Sequence, residues 1–467
     1  MAALCWEPAE WAEQQFGECQ LGDRRRNKRL IQVAQQFAAQ PAAGTPVQAE
    51  TWADLKAVYR LFDTDEVTPE ALLLPHRQLA HSSCQRGDIK LIISDTTEID
   101  YTSRKKTRGL GQIGNGSGRG WLAHTALMVN PQTRAADGIV AQEFLVRPIK
   151  GSGKKPASST TRRTETRESA VWGRVMDQVG RPAAGVTYVH VCDRGADDIE
   201  VFHRARHNGC ELVIRAARLN RKVIAADGQT RALSDVLAAL PPRGERDIAV
   251  PAQGRFPART ARVTLRFTTV QLPLPDVLTP WLKAHQPTEP LALQVVELVE
   301  LAPPNGVTPI RWVLYTTLPV DTLEQAEIVI RYYEKRWIIE EFHKCWKTGC
   351  GVEQRQYETF DRLTRMATVT AVVAVRLLQL RTAAQETPDK PADEIAPVEW
   401  VRLLRQARKR PADSPLTIRE FVRQLAGLGG FLLRKHDGEP GWQSLWRGYE
   451  KLHLLLRGAA LRAGKCG

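Results

Sequence analysis

The stretch RYYEKRWIIEEFHKCWKTGC, residues 331–350, decides how the rest of the chain is read. Its apolar residues recur at helical spacing. With about 100° per residue and Tyr333 at zero, Arg336, Glu340, Lys344 and Lys347 fall within about 60° of it. Ile338, Ile339, Phe342, Cys345 and Trp346 fall on the opposite side, which is expected to pack on a core. The polar side carries a phenol, three cations and one carboxylate in a row. A row of this composition suits a partner with phosphates, provided the carboxylate has a task of its own.

Composition narrows the classes. At 467 residues the chain is long enough for two to four domains, and 43% hydrophobic with 25% charged residues describes a globular protein. No run of 18 apolar residues occurs, so no helix is expected to cross a membrane and no membrane partner is expected. The start, MAALCWEPAEWAEQQF, lacks a basic segment followed by an apolar one, so no signal peptide is expected. Eight cysteines are scattered with no CxxC pair, which favours reduced thiols in a cytoplasmic protein over a zinc ribbon or disulfide framework. The net charge of +14 points to a polyanion, most often nucleic acid, although many basic proteins bind none.

Residues 1 to about 70 read as helical, and GDRRRNKR within them places five cations where a helix begins. DIKLIISDTTEIDYTS, from residue 88, holds a short buried strand over Leu91–Ile93 with Asp95 at its end. A glycine-rich basic loop and the strand WLAHTALMVN follow. Residues 150–168 read as a flexible basic loop, and GVTYVHVCDRGADDIEVFHRAR as strand, turn and helix with Asp193 where the strand ends. From about 220 to 318 the pattern turns β-rich. After the opening stretch come a strongly apolar helix, a linker at 386–397 and a basic helical tail.

Asp95 and Asp193 both end expected strands, where ligands of open α/β sheets gather. Glu340 lies 147 residues beyond Asp193. Taken singly, an aspartate at a strand end is more often a cap or turn residue. Should the three converge, each pair about 4 Å apart costs roughly 4 kcal/mol at an effective dielectric near 20. Divalent cations relieve such repulsion, and oxygen ligands favour Mg2+ or Mn2+ over zinc. Two such ions suit phosphoryl transfer. A haloacid-type phosphatase needs a second aspartate where Thr97 stands. His343, Cys345 and Cys350 match no common zinc spacing.

Tyr333, Arg336, Glu340 and Lys347 form Y-x2-R-x3-E-x6-K, which resembles the Y-R-E-K signature of bacterial DDE insertion-sequence transposases of the hairpin-forming cut-and-paste type. The group includes the transposase of the kanamycin-resistance composite transposon. LGDRRRNKRL, SDTTEIDY, GRGWLAH, VCDRGAD, RWIIEEFHKCWKTGC, VAVRLLQLR and GGFLLRKHDGEPGWQSLWRGYEKL follow that group in the same order, across essentially the whole chain. The resemblance implies an α/β fold: an RNase H-like catalytic core at 71–380 with a β-rich insertion at about 220–318. Helical N-terminal (1–70) and C-terminal (381–467) domains are expected to bind transposon ends and to dimerise. It implies Asp95, Asp193 and Glu340 as catalytic ligands of two Mg2+ ions, with Mn2+ as a substitute. In the family each transposon end is nicked, the freed 3′-OH forms a hairpin on the opposite strand, water opens it, and the 3′-OH attacks target DNA.

The same resemblance carries further expectations. Tyr333, Arg336, Lys344, Lys347 and Arg215 contact DNA phosphates near the cut. Trp312 takes the place of a flipped base, with Trp337 as second contact, although a tryptophan on a strand is otherwise a core residue. Arg25, Arg26 and Arg29 recognise the terminal inverted repeat, and two protomers form a synaptic homodimer on double-stranded DNA. The protein is expected in the bacterial cytoplasm, on the nucleoid when bound. Two departures stand out. The loop after Asp95 is richer in glycine and basic residues, and Gly195 stands where a larger residue is expected. A regulator that only occupies ends, and a nonspecific metal-dependent nuclease, are the competing readings.

Overall fold

The computed structural model describes residues 7–149, 167–250, 256–408, 415–434 and 436–463. The expected basic loop falls almost wholly outside them. Five helices open the chain: α1 (Pro8–Phe16), α2 (Arg24–Ala39), α3 (Thr45–Gln48), α4 (Trp52–Leu61) and α5 (Pro69–Ser82). Their starts are encoded locally. The side chains of Asp23, Thr51 and Thr68 each accept a first-turn N–H, and Pro69 takes a position where no donor is needed. Trp11, Phe16, Leu30, Val33 and Phe37 are buried between α1, α2 and their neighbours.

The strands are β1 (Ile89–Asp100), β2 (Gly111–Ile113), β3 (Gly118–Val129), β4 (Ala136–Leu145), β5 (Thr187–Cys192) and β6 (Glu211–Arg215). Helix α6 (Val171–Val179) precedes β5, and α7 (Ile199–His207) links β5 to β6. Next come β7 (Lys222–Ala225), β8 (Thr230–Ala232), α8 (Leu233–Ala238), β9 (Gly244–Val250), β10 (Arg259–Leu272), α9 (Pro280–His285), β11 (Leu291–Glu300) and β12 (Arg311–Thr316). The twelve strands among the described residues join one mixed sheet, whose main path is β2-β3-β1-β5-β6-β12-β11-β10-β7-β8. β4 pairs with β3, and β9 with β10. β1 runs antiparallel to β3 and parallel to β5, and β5 runs parallel to β6. The β-rich segment is therefore not a separate sheet. It continues the first one through β6 and β12, paired from Leu314↔Arg215 to Thr316↔Val213.

Alternation along β1 sorts its side chains between two cores. Leu91 and Ile93 enter the core shared with the helices that follow β12; Ile92 enters the one shared with α6 and α7. Asp95 has the parity of Leu91 and Ile93, which aims it at the later helices. These are α10 (Leu323–Glu334), α11 (Trp337–Lys344) and α12 (Phe360–Glu386), followed by α13 (Val398–Ala407), α14 (Ile418–Leu428) and α15 (Trp442–Ala463). α12 is long and apolar enough to cross a bilayer by length and composition. However, 89% of its most apolar window is buried inside the protein, and it serves as the central core helix. Trp346 anchors on it, donating from Nε1 to Thr370 Oγ1 at 3.0 Å.

Close approaches bind the outer layers. A Cβ on Gly349 would stand 1.8 Å from Trp446, and one on Gly448 1.8 Å from Leu425 O, so α15 reaches both the core and α14 only through glycine. The segment expected as a linker is partly packed: Ala392, Ile395 and Ala396 are buried, and Ala392 N donates to Leu416 O. Buried Arg355 donates to Gln48 Oε1, Pro41 O and Cys350 O at 2.5, 2.7 and 3.1 Å, fastening the N-terminal helices to the core.

Candidate active site

Asp95 is not at the end of its strand. β1 continues to Asp100, with Asp95 opposite Thr125 of β3. The parallel partner, however, stops at Ile93↔Val191. Asp95 thus stands where the sheet opens on its β5 side. The polar run SDTTEID hides the rest of the strand from an apolar pattern, and pairing with β3 supplies the missing support. Asp193 directly follows Cys192, the last residue of β5, and its Oδ1 accepts from Gly195 N at 2.7 Å in a 3-10 turn. Both aspartates therefore emerge at the same edge of two paired strands.

The opening stretch is not one helix. α10 ends at Glu334 and α11 starts at Trp337, with a turn at Lys335 and Arg336 between them; Cys345–Gly349 then forms a π-helical turn. No proline or glycine marks the first break. The apolar side is as expected: Ile338, Ile339, Phe342, Cys345 and Trp346 are all buried. The polar row needs correction at both ends. Tyr333 is only 5% exposed, packed edge-on to Trp312 with ring centroids 5.1 Å apart. Lys347, in the π-helical turn, stands 3.6 Å from Glu353. Lys344 is exposed, and Trp337 is 61% exposed.

The centre of the row reaches Asp95. Arg336 Nη1 lies 2.8 Å from Asp95 Oδ2 and 3.5 Å from Glu340 Oε1. Asp95 Oδ1 accepts from Thr96 N at 2.7 Å. Burial, followed by the charge of Asp193, pushes the Asp95 carboxyl up to about 7; Glu340 adds to this, while the Thr96 N–H and Arg336 oppose it. Burial also disfavours the Arg336 cation, but Asp95, Glu340 and Asp193 raise its pKa nonetheless. The site holds more negative charge than one guanidinium neutralises.

This excess is what a divalent cation would balance, and the donors are hard oxygens suited to Mg2+ or Mn2+. As the side chains stand, no three His, Cys, Asp or Glu groups among the described residues are gathered tightly enough to close round one ion. The Arg336 guanidinium holds Asp95 and Glu340 where a metal ion would otherwise balance them. The residue types fit a metal once that guanidinium gives way.

The remaining expected contacts divide. Arg215 ends β6 and donates from Nη2 to Arg311 O at 3.0 Å, and Tyr333 feels its charge. Trp312 is half-buried on β12, with Tyr333 as its neighbour. On α2, Arg25 is exposed. Arg26 pairs with Glu66 at 3.0 Å and Arg29 with Asp54 at 2.8 Å, so two of the three expected end-binding cations have partners within the N-terminal helices.

Sequence reading missed the wall behind the aspartates. His124, opposite Thr96 across β1 and β3, bonds Thr96 Oγ1 through Nδ1 at 2.7 Å. It packs edge-on to Trp172 of α6, with ring centroids 4.4 Å apart. Trp172 in turn closes over the Asp193 turn: a Cβ on Gly195 would stand 2.9 Å from its Cζ2 and 3.0 Å from both its Nε1 and Asp193 Oδ1. A larger residue at Gly195 therefore does not fit this wall. GRGWLAH contains His124, but only the strand register brings it behind Asp95.

Three family models match the chain in succession. A transposase DNA-binding model matches residues 8–67, a transposase DDE domain 161–376, and a transposase Tn5 dimerisation domain 372–465. The DDE match includes Asp193 and Glu340 but begins after β1, so Asp95 enters the site through the sheet pairing described above. DNA binding and dimer formation are the partners these matches support. The order of the three along one chain makes this protein a DNA transposase of the DDE class, belonging with the Tn5-type transposases.

Proposed function

We propose that this chain binds the terminal inverted repeats of its mobile element, excises it by nicking and hairpin formation, and joins the 3′-OH ends to target DNA. The observation that carries the reading is that Arg336 bridges Asp95 and Glu340 while Asp193 lies near enough to act on both Asp95 and Arg336 by charge, with the Asp95 carboxyl raised by burial and then by Asp193. Asp95, Asp193 and Glu340 are the residues proposed to hold two Mg2+ ions. Bound there, divalent ions supply an activated nucleophile and neutralise charge on the leaving oxygen.

The chain's own residues do the rest. Thr96 N–H and Gly195 N–H fix one oxygen of each aspartate. Arg336, Lys344, Lys347 and Arg215 are proposed to hold scissile-strand phosphates, and Tyr333, buried against Trp312, is proposed to join them only when DNA opens that packing. For this Lys347 turns from Glu353, whose Oε1 already accepts from Asp100 N. Trp312 and Trp337 are the aromatic groups proposed to receive the hairpin end, offsetting a few kcal/mol of unstacking. Arg25, with Arg26 and Arg29 released from their acidic partners, contacts the end. The proposed division is 1–70 for end binding, an RNase H-like core at 71–380, and 381–467 for the synaptic homodimer, acting in the bacterial cytoplasm on the nucleoid.

The test uses purified protein and labelled DNA carrying the element's inverted repeat and flank, with and without Mg2+, on a denaturing gel. A metal-dependent nick followed by an anomalously migrating hairpin supports the reading. Binding without cleavage, with both ends and either Mg2+ or Mn2+ present, replaces it with a regulator that occupies ends. Equal cleavage of DNA lacking the repeat replaces it with a nonspecific nuclease.

A further inference from the structure

A second cluster of ligating side chains lies away from the carboxylates, at the C-terminal end of α7. A nine-residue helix carries that end about 13 Å beyond its start near Asp193. His203 and His207, four residues apart, share one face of α7. His285 ends α9 of the β-rich segment, and its ring faces His207 with centroids 4.8 Å apart at 80°. The three histidines and Glu289 line one cavity of about 380 Å³.

Several details are those of a ligating set. His285 Nδ1 lies 2.9 Å from Trp281 O. A carbonyl only accepts, so Nδ1 carries the proton and Nε2 keeps its lone pair, the arrangement typical of metal-bound histidines. The ring is held flat on Trp281, 3.8 Å away, and Trp281 is held by the Arg204 guanidinium at 4.9 Å. His203 is 7% exposed, and its buried Nε2 has no hydrogen-bond partner. Two imidazoles on one tetrahedral ion, at metal–nitrogen distances of about 2.0–2.1 Å, place their ring centroids about 5 Å apart. His207 and His285 meet that spacing. The carbonyl end of α7 adds negative potential. Arg206, on the cavity wall, opposes it.

We propose that His207 and His285 form the anchors of a transition-metal site, completed by His203 or Glu289, that pins α9 to α7. The third donor must turn inward, since no three donors are gathered round one point as the side chains stand. Imidazole nitrogen selects Ni2+ or Zn2+ over Mg2+, which separates this site chemically from the carboxylates.

The test is calorimetric titration of untagged full-length protein with Ni2+ in phosphate-free buffer, alongside thermal melting. The expected result is one tight Ni2+ per chain and a raised Tm. The His207→Gln/His285→Gln double variant should lose at least about tenfold in affinity, comparable to disturbing the surroundings of a metal site. Both residues are exposed, and circular dichroism checks the fold; His285→Gln alone provides a second, milder variant. The proposal is overturned if Ni2+ binds wild type and both variants alike, or if Mg2+ raises Tm equally. It is also overturned if inorganic phosphate, drawn by Arg206, binds in a histidine-dependent way while Ni2+ does not.

Discussion

Replacing Gly195 with alanine tests the wall behind Asp193. The added Cβ would sit 2.9 Å from Trp172 Cζ2 and 3.0 Å from Asp193 Oδ1. Real Cβ contacts are rarely so short, so either the indole or the carboxylate moves. Trp172 is buried against His124, and overpacking such a site costs about 1–3 kcal/mol. Movement of the carboxylate instead disturbs a reacting geometry, where a misplacement of about 1 Å costs on the order of 100-fold in rate. The expected phenotype joins the two: Tm falls modestly, and the single-turnover nicking rate drops about 10- to 100-fold with end affinity unchanged. Single-turnover gels, band shifts and melting curves measure the three quantities. Adding Trp172→Phe, which trims the crowded ring, should restore part of the rate. Wild-type rate and Tm in Gly195→Ala would refute the idea that this turn is packed against Trp172.

Three further outcomes follow from other parts of the molecule. Arg355→Met leaves Gln48, Pro41 O and Cys350 O without their donor, so stability should fall by about 3 kcal/mol in chemical denaturation; an unchanged midpoint would show the buried arginine to be neutral. Trp312→Ala should nick normally and form hairpins poorly, and an unchanged hairpin yield would return Trp312 to a packing role beside Tyr333. Burial lowers His76 and His190 to about 4 and His453 to about 3, so below pH 6.5 the unfolded chain takes up protons that the folded one refuses. Stability should therefore fall with pH from 6.5 towards 4 by about 1.4 kcal/mol per unit for each, and a flat profile of Tm between pH 7 and 5 would contradict their neutral burial.

Much of the architecture was legible because its signals are local. The caps Asp23, Thr51 and Thr68, and the apolar faces of α2 and α11, are written in short windows. What escaped reading depends on partners distant in sequence. β1 extends through SDTTEID only because β3 pairs with it, and β12 joins β6 across almost a hundred residues. The breaks flanking α11 have no proline or glycine at their start. They draw Tyr333 into the interior and place Arg336 between Asp95 and Glu340. Trp172 and His124 gave no signal of their own, since their position depends on register and packing.

The central claim is that Asp95, Asp193 and Glu340 act as one site. It is tested most directly by the single-turnover cleavage rate of an end-labelled inverted repeat in Mg2+, comparing wild type with each alanine variant. Band shifts on the same DNA serve as the control for end binding. Asp95→Ala is the most telling variant, because Asp95 lies outside the matched DDE segment and joins the others only through β1 and β5. The account predicts loss of cleavage in all three variants with end binding retained. Near wild-type cleavage by Asp95→Ala would contradict it.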